Sequence, residues 1–574
     1  MKSIHTGAQI LRKCSAVGRG RPPLGRCMQS IASGKREAND RKEENVVRSP
    51  FPPVELPNST VPDLLFSRAR NWSAHDAIEC GITGRKYTYG GMIDRALRWG
   101  AAVNKVMPPG ARKNVALYCQ NAPEFPVVLL GTLAVGGMVT TINHNFTADE
   151  VSRQLQDSHG ELVVVDPLME GLLRQVLAKL NLQLPVFTNG PSQFGSPNLQ
   201  EIIEDTTQPF AEVAETNPES IAMMLYSSGT TGKPKGVALS HRAFTNNMVM
   251  FAQPHTFAYR DTSAEYQENI LGIMPFYHIY GTHVINMLNM YMGAKTISLP
   301  AFTPKDLIRI IRDFKVEVVH LVPPMLNFLS KSEAVTSRDL ASMRVAMCAA
   351  APVPPSSALA LKEKAPNPVL FQEGFGMTEA LGTHLTPPDQ ERIGYCGKLV
   401  SNVEGKVIDI ETGEALPEGQ RGEMCLRSPS MMSYYHNNPK ATAETIDSEG
   451  WLHTGDVAVH EDGFFSIVDR IKELIKVKGY QVSPSELEEE LLKHPAVMDV
   501  GVVGVEDERA GELPRAYVVR KTQITTEDIM DYMKERLAPY KQLKGGIRFL
   551  DALPKNATGK LLRRELKEMA AQDP

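Results

Sequence analysis

Residues 226–241 read YSSGTTGKPKGVALSH, a stretch that combines glycines, hydroxyl side chains and the lysines Lys233 and Lys235. Glycine admits backbone conformations with positive φ and lets a ligand approach the main chain closely. Successive backbone N–H groups in such a loop form an anion-binding concavity, and hydroxyl and ammonium groups add further donors. The template G-x-x-x-x-G-K-[ST] does not fit, because Pro234 follows Gly229 by five positions. The stretch therefore predicts a phosphate-binding loop of another kind. An ordinary Ser/Gly-rich surface loop is the alternative.

The composition indicates a large globular protein. The chain has 574 residues, of which 42% are hydrophobic and 22% charged, so packed cores and more than one domain are expected. The net charge of 62 − 66 = −4 gives no general attraction to nucleic acid. Seven cysteines lie apart without a C-x-x-C pair, which favours reduced thiols in an intracellular compartment over a disulfide framework or a zinc site.

The first 36 residues differ from the rest of the chain. Residues 1–36 contain eight Lys or Arg, several Ser and no Asp or Glu, which is typical of a mitochondrial transit peptide. A disordered basic tail on a cytoplasmic protein is the alternative. The sequence ends in Gln-Asp-Pro, so we do not expect a C-terminal peroxisomal signal.

The fold class follows from the pattern of apolar runs. Residues 37–60 are charged and then proline-rich, which indicates a linker. Further on, short apolar strands alternate with helical patterns, which predicts βαβ units and parallel sheets. Residues 125–142 are uncharged, but Pro126 and Gly136-Gly137 divide them into a buried helix and a buried strand, so we expect no membrane span.

The last third of the chain changes in texture. Short alternating strands with glycine turns begin near Gly405 and predict a β-rich subdomain. Residues 483–486 have the form of a capping box with Pro at the first helical position, and Thr525 is placed to cap a second helix. We therefore predict an α/β protein with a large N-terminal domain, residues 61–470, and a small mobile α+β domain, residues 471–574.

Four further motifs follow the loop along the chain. They are EGFGMTE at 373–379, WLHTGD at 451–456, DRIKELIKVKGYQV at 469–482 and PKNATGK at 554–560. In this order, the five motifs resemble the signatures of the adenylate-forming enzymes, which include acyl-CoA synthetases, 4-coumarate–CoA ligases, luciferases and peptide-synthetase adenylation domains. The resemblance covers about residues 55 to 570. It is closest to the branch that contains the 4-coumarate ligases, luciferases and fatty-acyl-CoA synthetases.

The resemblance implies a reaction in two halves. A carboxylate attacks the α-phosphate of ATP to give an acyl-adenylate and pyrophosphate, and coenzyme A then displaces AMP. In the first half, the resemblance assigns Lys560 to the carboxylate and α-phosphate, Thr378 to the α-phosphate, Glu379 to Mg²⁺, and Asp456 and Arg470 to the ribose or phosphates. The expected nucleotide contacts also include Ser227, Ser228, Gly229, Thr230, Thr231, Gly232, Lys233, Lys235, Glu373, Gly374, Phe375 and Gly376.

The same resemblance implies a domain rotation between the two halves. The hinge falls at Lys472. After rotation, Lys560 leaves the site and the segment with Lys476, Lys478, Gly479 and Gln481 enters it from the opposite face with coenzyme A. Such closures often set the turnover of an enzyme.

The identity of the acid is less well indicated. His278 matches a histidine that the family places beside the acyl group, although a lone histidine among aromatic residues is more often packed in a core. His283 and His320 are interpreted as packed histidines. The floor motif, Ser-Gly-Ala-Ala-Pro in relatives, reads CAAAP at 348–352. Apolar residues at the expected pocket positions favour a medium- or long-chain fatty acid over an aryl acid: Ile279, Val284, Met287, Ala301 and Met325.

Two other functions stay open at this point. A stand-alone adenylation enzyme would load a free carrier protein in place of coenzyme A. A catalytically silent nucleotide-binding protein would keep the loop without the reaction. Pyrophosphate release and thioester formation distinguish the three.

Overall fold

Strands and helices alternate along most of the chain. The computed structural model describes residues 45–107, 110–227, 234–478, 480–556 and 559–572. The strands, in chain order, are β1 (Val47–Arg48), β2 (Asp76–Cys80), β3 (Lys86–Thr88), β4 (Asn114–Tyr118), β5 (Met138–Thr141), β6 (Leu162–Val165), β7 (Val186–Thr188), β8 (Ile221–Ser227), β9 (Lys235–Ser240), β10 (Asn269–Gly272), β11 (Lys295–Ser298), β12 (Val318–Leu321), β13 (Val345–Cys348), β14 (Leu370–Met377), β15 (Leu381–Leu385), β16 (Lys398–Leu399), β17 (Glu404–Ile408), β18 (Gly422–Arg427), β19 (Tyr434–Tyr435), β20 (Leu452–Glu461), β21 (Phe464–Arg470), β22 (Ile475–Val477), β23 (Tyr480–Val482), β24 (Val497–Asp507), β25 (Gly511–Arg520) and β26 (Gly546–Leu550).

The helices connect these strands. The α-helices, in chain order, are α1 (Val61–Ala69), α2 (Tyr89–Val106), α3 (Glu124–Ala134), α4 (Ala148–Asp157), α5 (Pro167–Leu180), α6 (Leu199–Glu204), α7 (His241–Phe251), α8 (Asn289–Met292), α9 (Pro304–Asp313), α10 (Pro323–Lys331), α11 (Pro355–Lys364), α12 (Pro439–Thr445), α13 (Pro484–Leu492), α14 (Thr526–Lys534) and α15 (Arg563–Gln572). A π-helix covers Tyr280–Leu288, and 3-10 turns cover Arg70–Trp72, Ser337–Leu340 and Pro539–Lys541.

Two large sheets confirm the α/β prediction. One has the strand order β19-β9-β8-β5-β4-β6-β7, and the other has β16-β15-β14-β13-β12-β10-β11-β2-β3. The central strands of both sheets pair in parallel. Towards one edge of each sheet the pairing becomes antiparallel, between β8 and β9 in the first sheet and between β14 and β15 in the second. The parallel strands are almost entirely buried, as is usual when helices cover both faces of a sheet.

The uncharged stretch 125–142 is a buried helix followed by a buried strand, as predicted. Every residue of α3 is buried, and β5 lies between β4 and β8. Within the described residues, no helix has both the length and the apolar character needed to cross a bilayer.

A third sheet, of order β1-β17-β18-β20-β21, forms the predicted β-rich region. Its last hairpin turns at Asp462 and Gly463, both with positive φ, which is the geometry of a tight two-residue hairpin turn. The predicted linker differs from the structure at its centre. Val47–Arg48 pairs with β17, and the Asn402 side chain bonds the backbone of Val54 in both directions.

The fourth sheet, β23-β22-β25-β24 with β26 alongside β25, lies in the C-terminal region and has its own apolar cluster. Ser483 and Thr525 cap α13 and α14 as predicted. The capping box at Ser483 is only half formed, because the Glu486 carboxylate pairs with Lys541 and does not bond back to the cap. The domain limits 61–470 and 471–574 stay a prediction.

The cysteines of the described region are free thiols: Cys80, Cys119, Cys348, Cys396 and Cys425. All but Cys396 are buried.

Candidate active site

The predicted phosphate loop joins two antiparallel strands. Ser227 ends β8 and lies opposite Lys235 at the start of β9. Ser228, Gly229, Thr230, Thr231, Gly232 and Lys233 lie outside the described residues. The Ser227 Oγ is buried and has no hydrogen-bond partner among the described residues, so it has a free polar atom at the base of the loop. An unsatisfied buried hydroxyl of this kind fits a ligand oxygen.

The loop strand meets the second motif through Tyr435. The Lys235 ammonium lies 4.5 Å above the Tyr435 ring, and the Tyr435 hydroxyl donates to Glu379 Oε1 at 2.7 Å. Burial raises the pKa of that hydroxyl, so it stays protonated and keeps donating. Glu379 is buried beside Thr378. A carboxylate fixed at one oxygen has a second oxygen for a hard cation such as Mg²⁺.

Glycine is required in the second motif for a steric reason. A Cβ at Gly376 would lie 2.6 Å from the Leu381 carbonyl oxygen on the neighbouring strand β15. A β-bulge between Phe375 and Gly376 shifts the strand register at this point. The bulge and the turn after β14 place Thr378 and Glu379 at the strand end. Gly374 lies within the same strand pair, opposite Leu385.

Glu373 is buried at the start of this motif. Its Oε1 accepts a hydrogen bond from the Gly394 N–H at 2.6 Å. Burial raises the pKa of Glu373 to about 8, and the Gly394 bond opposes the shift only in part. At neutral pH this carboxyl group is therefore mostly protonated and can donate a hydrogen bond as well as accept one.

Asp456 and Arg470 form the centre of the site. The two residues are Cα partners across β20 and β21, and Arg470 Nε lies 3.1 Å from Asp456 Oδ1. Burial raises the pKa of Asp456, and the charges of Arg470 and Lys560 oppose that shift. Since Asp456 is 5% exposed, its pairing with Arg470 compensates a charge that would otherwise be costly.

The turn before Asp456 is held by residues that the motifs did not reveal. The Gly455 N–H donates to Glu423 Oε1 at 3.1 Å, and Thr454 Oγ1 donates to the Met424 carbonyl at 2.7 Å. Glu423 Oε2 lies 3.0 Å from Nδ1 of His453. These partners come from β18, about thirty positions earlier in the chain. No spacing rule within one segment would have found them.

Lys560 approaches this pair from the C-terminal region. Two hydrogen bonds join Lys560 to Asn556. The Lys560 N–H donates to the Asn556 side-chain oxygen, and the Asn556 N–H donates to the Lys560 carbonyl. Gly559 has φ 74°, and a Cβ there would lie 2.8 Å from Pro324 Cγ in the first turn of α10. Burial and the charge of Arg470 lower the pKa of Lys560 to about 8. The charges of Arg470 and Asp456 both act on Lys560, in opposite directions. The assignment of Lys560 to the first half-reaction stays a prediction.

His278 interacts electrostatically with Lys560. Burial and the charge of Lys560 lower the pKa of His278 to about 4, so the ring is neutral at pH 7. The Tyr280 N–H donates to Nδ1 at 3.3 Å, which leaves the proton on Nε2. His283 bonds Asn247, and His320 bonds the hydroxyls of Tyr259 and Tyr280, so both are packed core histidines as predicted.

The predicted coenzyme A segment lies apart from this cluster. Lys476, Lys478 and Gln481 are exposed on the β22–β23 hairpin, and Gly479 is outside the described residues. The backbone N–H groups of Lys476 and Lys478 bond Glu512 and Ala510, and none of these contacts reaches Lys560. Lys472 is exposed in the turn between β21 and β22.

Four of the five residues expected at the acyl pocket belong to or pack against the apolar core, and one does not. Met287 and Met325 are buried, and Ile279 and Val284 pack against the same apolar core. Ala301 differs: it is exposed in the loop between β11 and α9, outside that core. Ala301 was assigned to the pocket from its distance in sequence to a motif, and such a distance does not determine the path of a loop.

The chain is similar to known proteins over most of its length. Residues 65–436 match the family described as AMP-binding enzyme, and residues 486–560 match the AMP-binding enzyme C-terminal domain. The chain is 35% identical over 543 residues to 4-coumarate–CoA ligase 3 of Oryza sativa subsp. japonica, an alignment that covers 92% of this chain and 96% of the relative.

Two solved structures are also similar. The crystal structure of ATP-bound MatB from Rhodopseudomonas palustris has a TM-score of 0.78 and 26% identity, and covers 89% of this chain and 99% of that one. An anthranilate CoA ligase in complex with anthranoyl-AMP has a TM-score of 0.81 and 25% identity, with 90% and 98% covered.

Proposed function

Since this chain belongs to the AMP-binding enzyme family and is an AMP-forming acid–CoA ligase, we propose that the acid it activates is a medium- or long-chain fatty acid. The enzyme adenylates a carboxylic acid with ATP and then transfers the acyl group to coenzyme A. The observation that carries our assignment of residues is the ion pair of the buried Asp456 with Arg470, together with the electrostatic action of Lys560 on both Asp456 and His278.

We assign the first half-reaction to Lys560. Its ammonium group lies in a partly buried site where two anions, the acid carboxylate and the α-phosphate, must meet. A preorganised charge stabilises the negative charge that builds up as they react. Asp456 accepts hydrogen bonds from the ribose hydroxyls, and Arg470 is placed beside the same ribose or the phosphates. Neutral His278 donates from Nε2 to the carboxylate and orients it.

The phosphates and Mg²⁺ fit the other half of the site. The buried Ser227 hydroxyl has no partner in the part of the chain that the structure describes, Lys235 supplies charge, and Glu379 has a carboxylate oxygen for the cation. When bound, Mg²⁺ neutralises phosphate charge and orients the pyrophosphate leaving group. Thr378 adds a hydroxyl near the α-phosphate. Lys233 and the other loop residues belong to the same proposal.

The aliphatic assignment rests on the residues beyond His278. Val284, Met287 and Met325 are apolar, and methionine adapts to irregular apolar shapes. The Tyr259 hydroxyl donates to Asn289 Oδ1 at 2.8 Å and therefore accepts from Nε2 of His320 at 2.7 Å. Nδ1 of His320 is left to accept from the Tyr280 hydroxyl at 3.0 Å. Both hydroxyl groups are therefore directed at protein partners.

An aryl acid is the second candidate. The relative from rice is named a 4-coumarate–CoA ligase, and the anthranilate ligase structure holds an aryl adenylate. Both are similar to this chain over nine-tenths of its length or more. In that case the acyl wall would admit a flat ring in place of a chain.

The second half-reaction requires a rearrangement. We propose that the C-terminal region, residues 471–574, rotates at Lys472 and brings Lys476, Lys478, Gly479 and Gln481 to the acyl-adenylate with coenzyme A. The exposure of the described members of this set supports a role in another conformation. Residues 1–36 lie outside the described residues, and a mitochondrial address for the enzyme is part of the proposal.

An acid panel tests the function. Purified enzyme with ATP and Mg²⁺ is given C4 to C18 fatty acids and cinnamate-type acids, with and without coenzyme A. We expect pyrophosphate and acyl-CoA from the fatty acids. A preference for cinnamate-type acids would select the aryl candidate, and pyrophosphate exchange without thioester would point to a carrier protein as acceptor.

A further inference from the structure

Glu423, Cys425 and His453 form a cluster of metal-binding residue types on the third sheet. Each offers one ligand atom, and these atoms all lie within 4.8 Å of one another. Nδ1 of His453 lies 3.0 Å from Glu423 Oε2 and 3.5 Å from Cys425 Sγ. The carboxylate and the thiol therefore meet at the same ring nitrogen.

Strand pairing brings these three side chains together. Cys425 on β18 and His453 on β20 are Cα partners, and Glu423 precedes Cys425 by two positions on the same strand. Side chains two positions apart along a strand share a face of the sheet. A β-bulge between Glu423 and Cys425 shifts the register, and bulges often redirect a side chain. The cluster is therefore held by two paired strands, which fix its geometry.

The donor atoms of this cluster suit Zn²⁺. Thiolate, imidazole and carboxylate are the usual ligands of Zn²⁺, at about 2.3 Å for sulfur and about 2.0–2.2 Å for nitrogen and oxygen. In a tetrahedral site these bond lengths separate neighbouring ligand atoms by about 3.3–3.6 Å. The distance from Cys425 Sγ to His453 Nδ1 lies in this range, and the distance from Nδ1 to Glu423 Oε2 is slightly shorter. Mg²⁺ fits less well, because it prefers oxygen ligands in an octahedral arrangement.

The outer atoms of the cluster have partners that a metal ion would leave in place. Glu423 Oε1 accepts a hydrogen bond from the Gly455 N–H at 3.1 Å, so the ion needs only Oε2. The second ring nitrogen of His453, Nε2, lies 3.6 Å from Asp447 Oδ2. A histidine that binds a metal ion usually directs its other nitrogen at such a group, which orients the ring.

Exposure and charge also allow a divalent cation. The side chain of His453 is 29% exposed and that of Glu423 is 15% exposed, whereas Cys425 is buried. One thiolate and one carboxylate balance the two charges of the ion. Lys406, the Cα partner of Cys425 on β17, has its ammonium group 4.5 Å from the centre of the Trp451 ring, which gives this cation a partner of its own.

We propose that Glu423, Cys425 and His453 bind one Zn²⁺ ion through Oε2, Sγ and Nδ1, with the fourth position taken by water. The ion displaces the protons of the thiol and of Nδ1 into solvent. It cross-links β18 and β20 and, through the other oxygen of Glu423, supports the Gly455 backbone directly before Asp456. The zinc site therefore lies next to the proposed ribose site and is distinct from the Mg²⁺ site assigned to Glu379.

Cobalt substitution tests this site, because Co²⁺ replaces Zn²⁺ and gives a thiolate-to-cobalt charge-transfer band when a cysteine binds it. The full chain is treated with a chelator, desalted and titrated with Co²⁺ in excess Mg²⁺, without ATP or acid. We expect the band to reach its full height at about one equivalent of Co²⁺ and to disappear when Zn²⁺ is added. Competition with a chromophoric chelator gives the Kd for Zn²⁺.

Three variants locate the site. Cys425→Ser should lose the band and bind Zn²⁺ at least about 100-fold more weakly, because it removes a direct ligand. Asp447→Asn should keep the band and weaken Zn²⁺ binding about tenfold, because it changes only the partner of Nε2. Cys396→Ser, which removes the thiol of a half-buried cysteine, is the matched control and should behave as wild type.

Two results would overturn the inference. One is wild-type protein that shows no charge-transfer band with Co²⁺, and the other is an unchanged band in Cys425→Ser. The wild-type titration decides alone if Cys425→Ser does not fold. Since the test uses neither acid nor coenzyme A, its result is independent of the proposed function.

Discussion

Asp456 and Arg470 face each other across a hairpin, with Arg470 Nε 3.1 Å from Asp456 Oδ1. The carboxylate is almost fully buried, and Lys560 adds a second positive charge to its surroundings. Burial raises the pKa of Asp456, and the charges of Arg470 and Lys560 oppose that rise. A buried, oriented carboxylate suits recognition of the ribose hydroxyls.

Replacing Asp456 tests that assignment. Asp456→Asn should raise the KM for ATP about 10- to 100-fold, because charge-assisted hydrogen bonds contribute about 1.5–3 kcal/mol. The KM for the acid should change little, since Asp456 is not assigned to the acyl group. Steady-state pyrophosphate release measures both constants.

The control for Asp456 lies at the other end of the same hairpin. Asp462 is 86% exposed in the turn, and Asp462→Asn should leave both constants unchanged. Equal rises of the two KM values in Asp456→Asn would show that the variant disturbs the whole site and would contradict a role in ribose binding.

Tyr435 gives a test of the Mg²⁺ assignment. Tyr435→Phe removes the bond to Glu379 Oε1 and keeps the ring beneath Lys235. We expect half-maximal pyrophosphate exchange to need about 10- to 100-fold more Mg²⁺, because a hydrogen bond to a charged group is worth about 1.5–3 kcal/mol. Tyr434→Phe, at the exposed neighbour, is the control. An unchanged Mg²⁺ requirement in Tyr435→Phe would argue against Glu379 as a metal ligand.

Glu373 predicts a dependence of stability on pH. Burial raises its pKa from 4.5 to about 8, so the folded protein retains a proton that the unfolded chain releases. This contribution is fully present below pH 4.5 and is lost as the pH rises towards 8. Glu373→Gln resembles the neutral acid and should avoid the loss.

Thermal melting checks the Glu373 prediction. The variant should match wild type near pH 4.5 and exceed it at pH 8.5, by an amount on the order of 5 kcal/mol. Glu414→Gln, in an exposed turn, should show no such trend. A constant difference between Glu373→Gln and wild type across this range would mean that Glu373 is ionised in the folded protein.

The fold was predictable because its signals are local. The parallel strands are short apolar runs, and the helices begin at hydroxyl caps such as Thr525. Half of the predicted capping box at Ser483 does not form, because Lys541, 55 positions from Glu486, competes for the Glu486 carboxylate. Such competition depends on tertiary contacts and leaves no trace in local spacing.

The candidate site was predictable where a motif names the residue directly, as for Gly376 and Asp456. Tyr435 was not, because it reaches Glu379 across 56 positions through the pairing of β19 with β9. Glu473 lies in the motif 469–482 and Arg563 lies beyond the last motif, 90 positions later, so only the fold brings them together.

The two half-reactions of Lys560→Ala test the central claim most directly. Pyrophosphate exchange with acid and ATP measures the first half, and thioester formation from supplied acyl-adenylate and coenzyme A measures the second. Lys544→Ala, an exposed lysine of the same region, is the control. We expect Lys560→Ala to lose about 10²- to 10³-fold in exchange, as when an oxyanion donor is removed, and to keep most of its thioester formation. Equal losses in both halves would contradict the account.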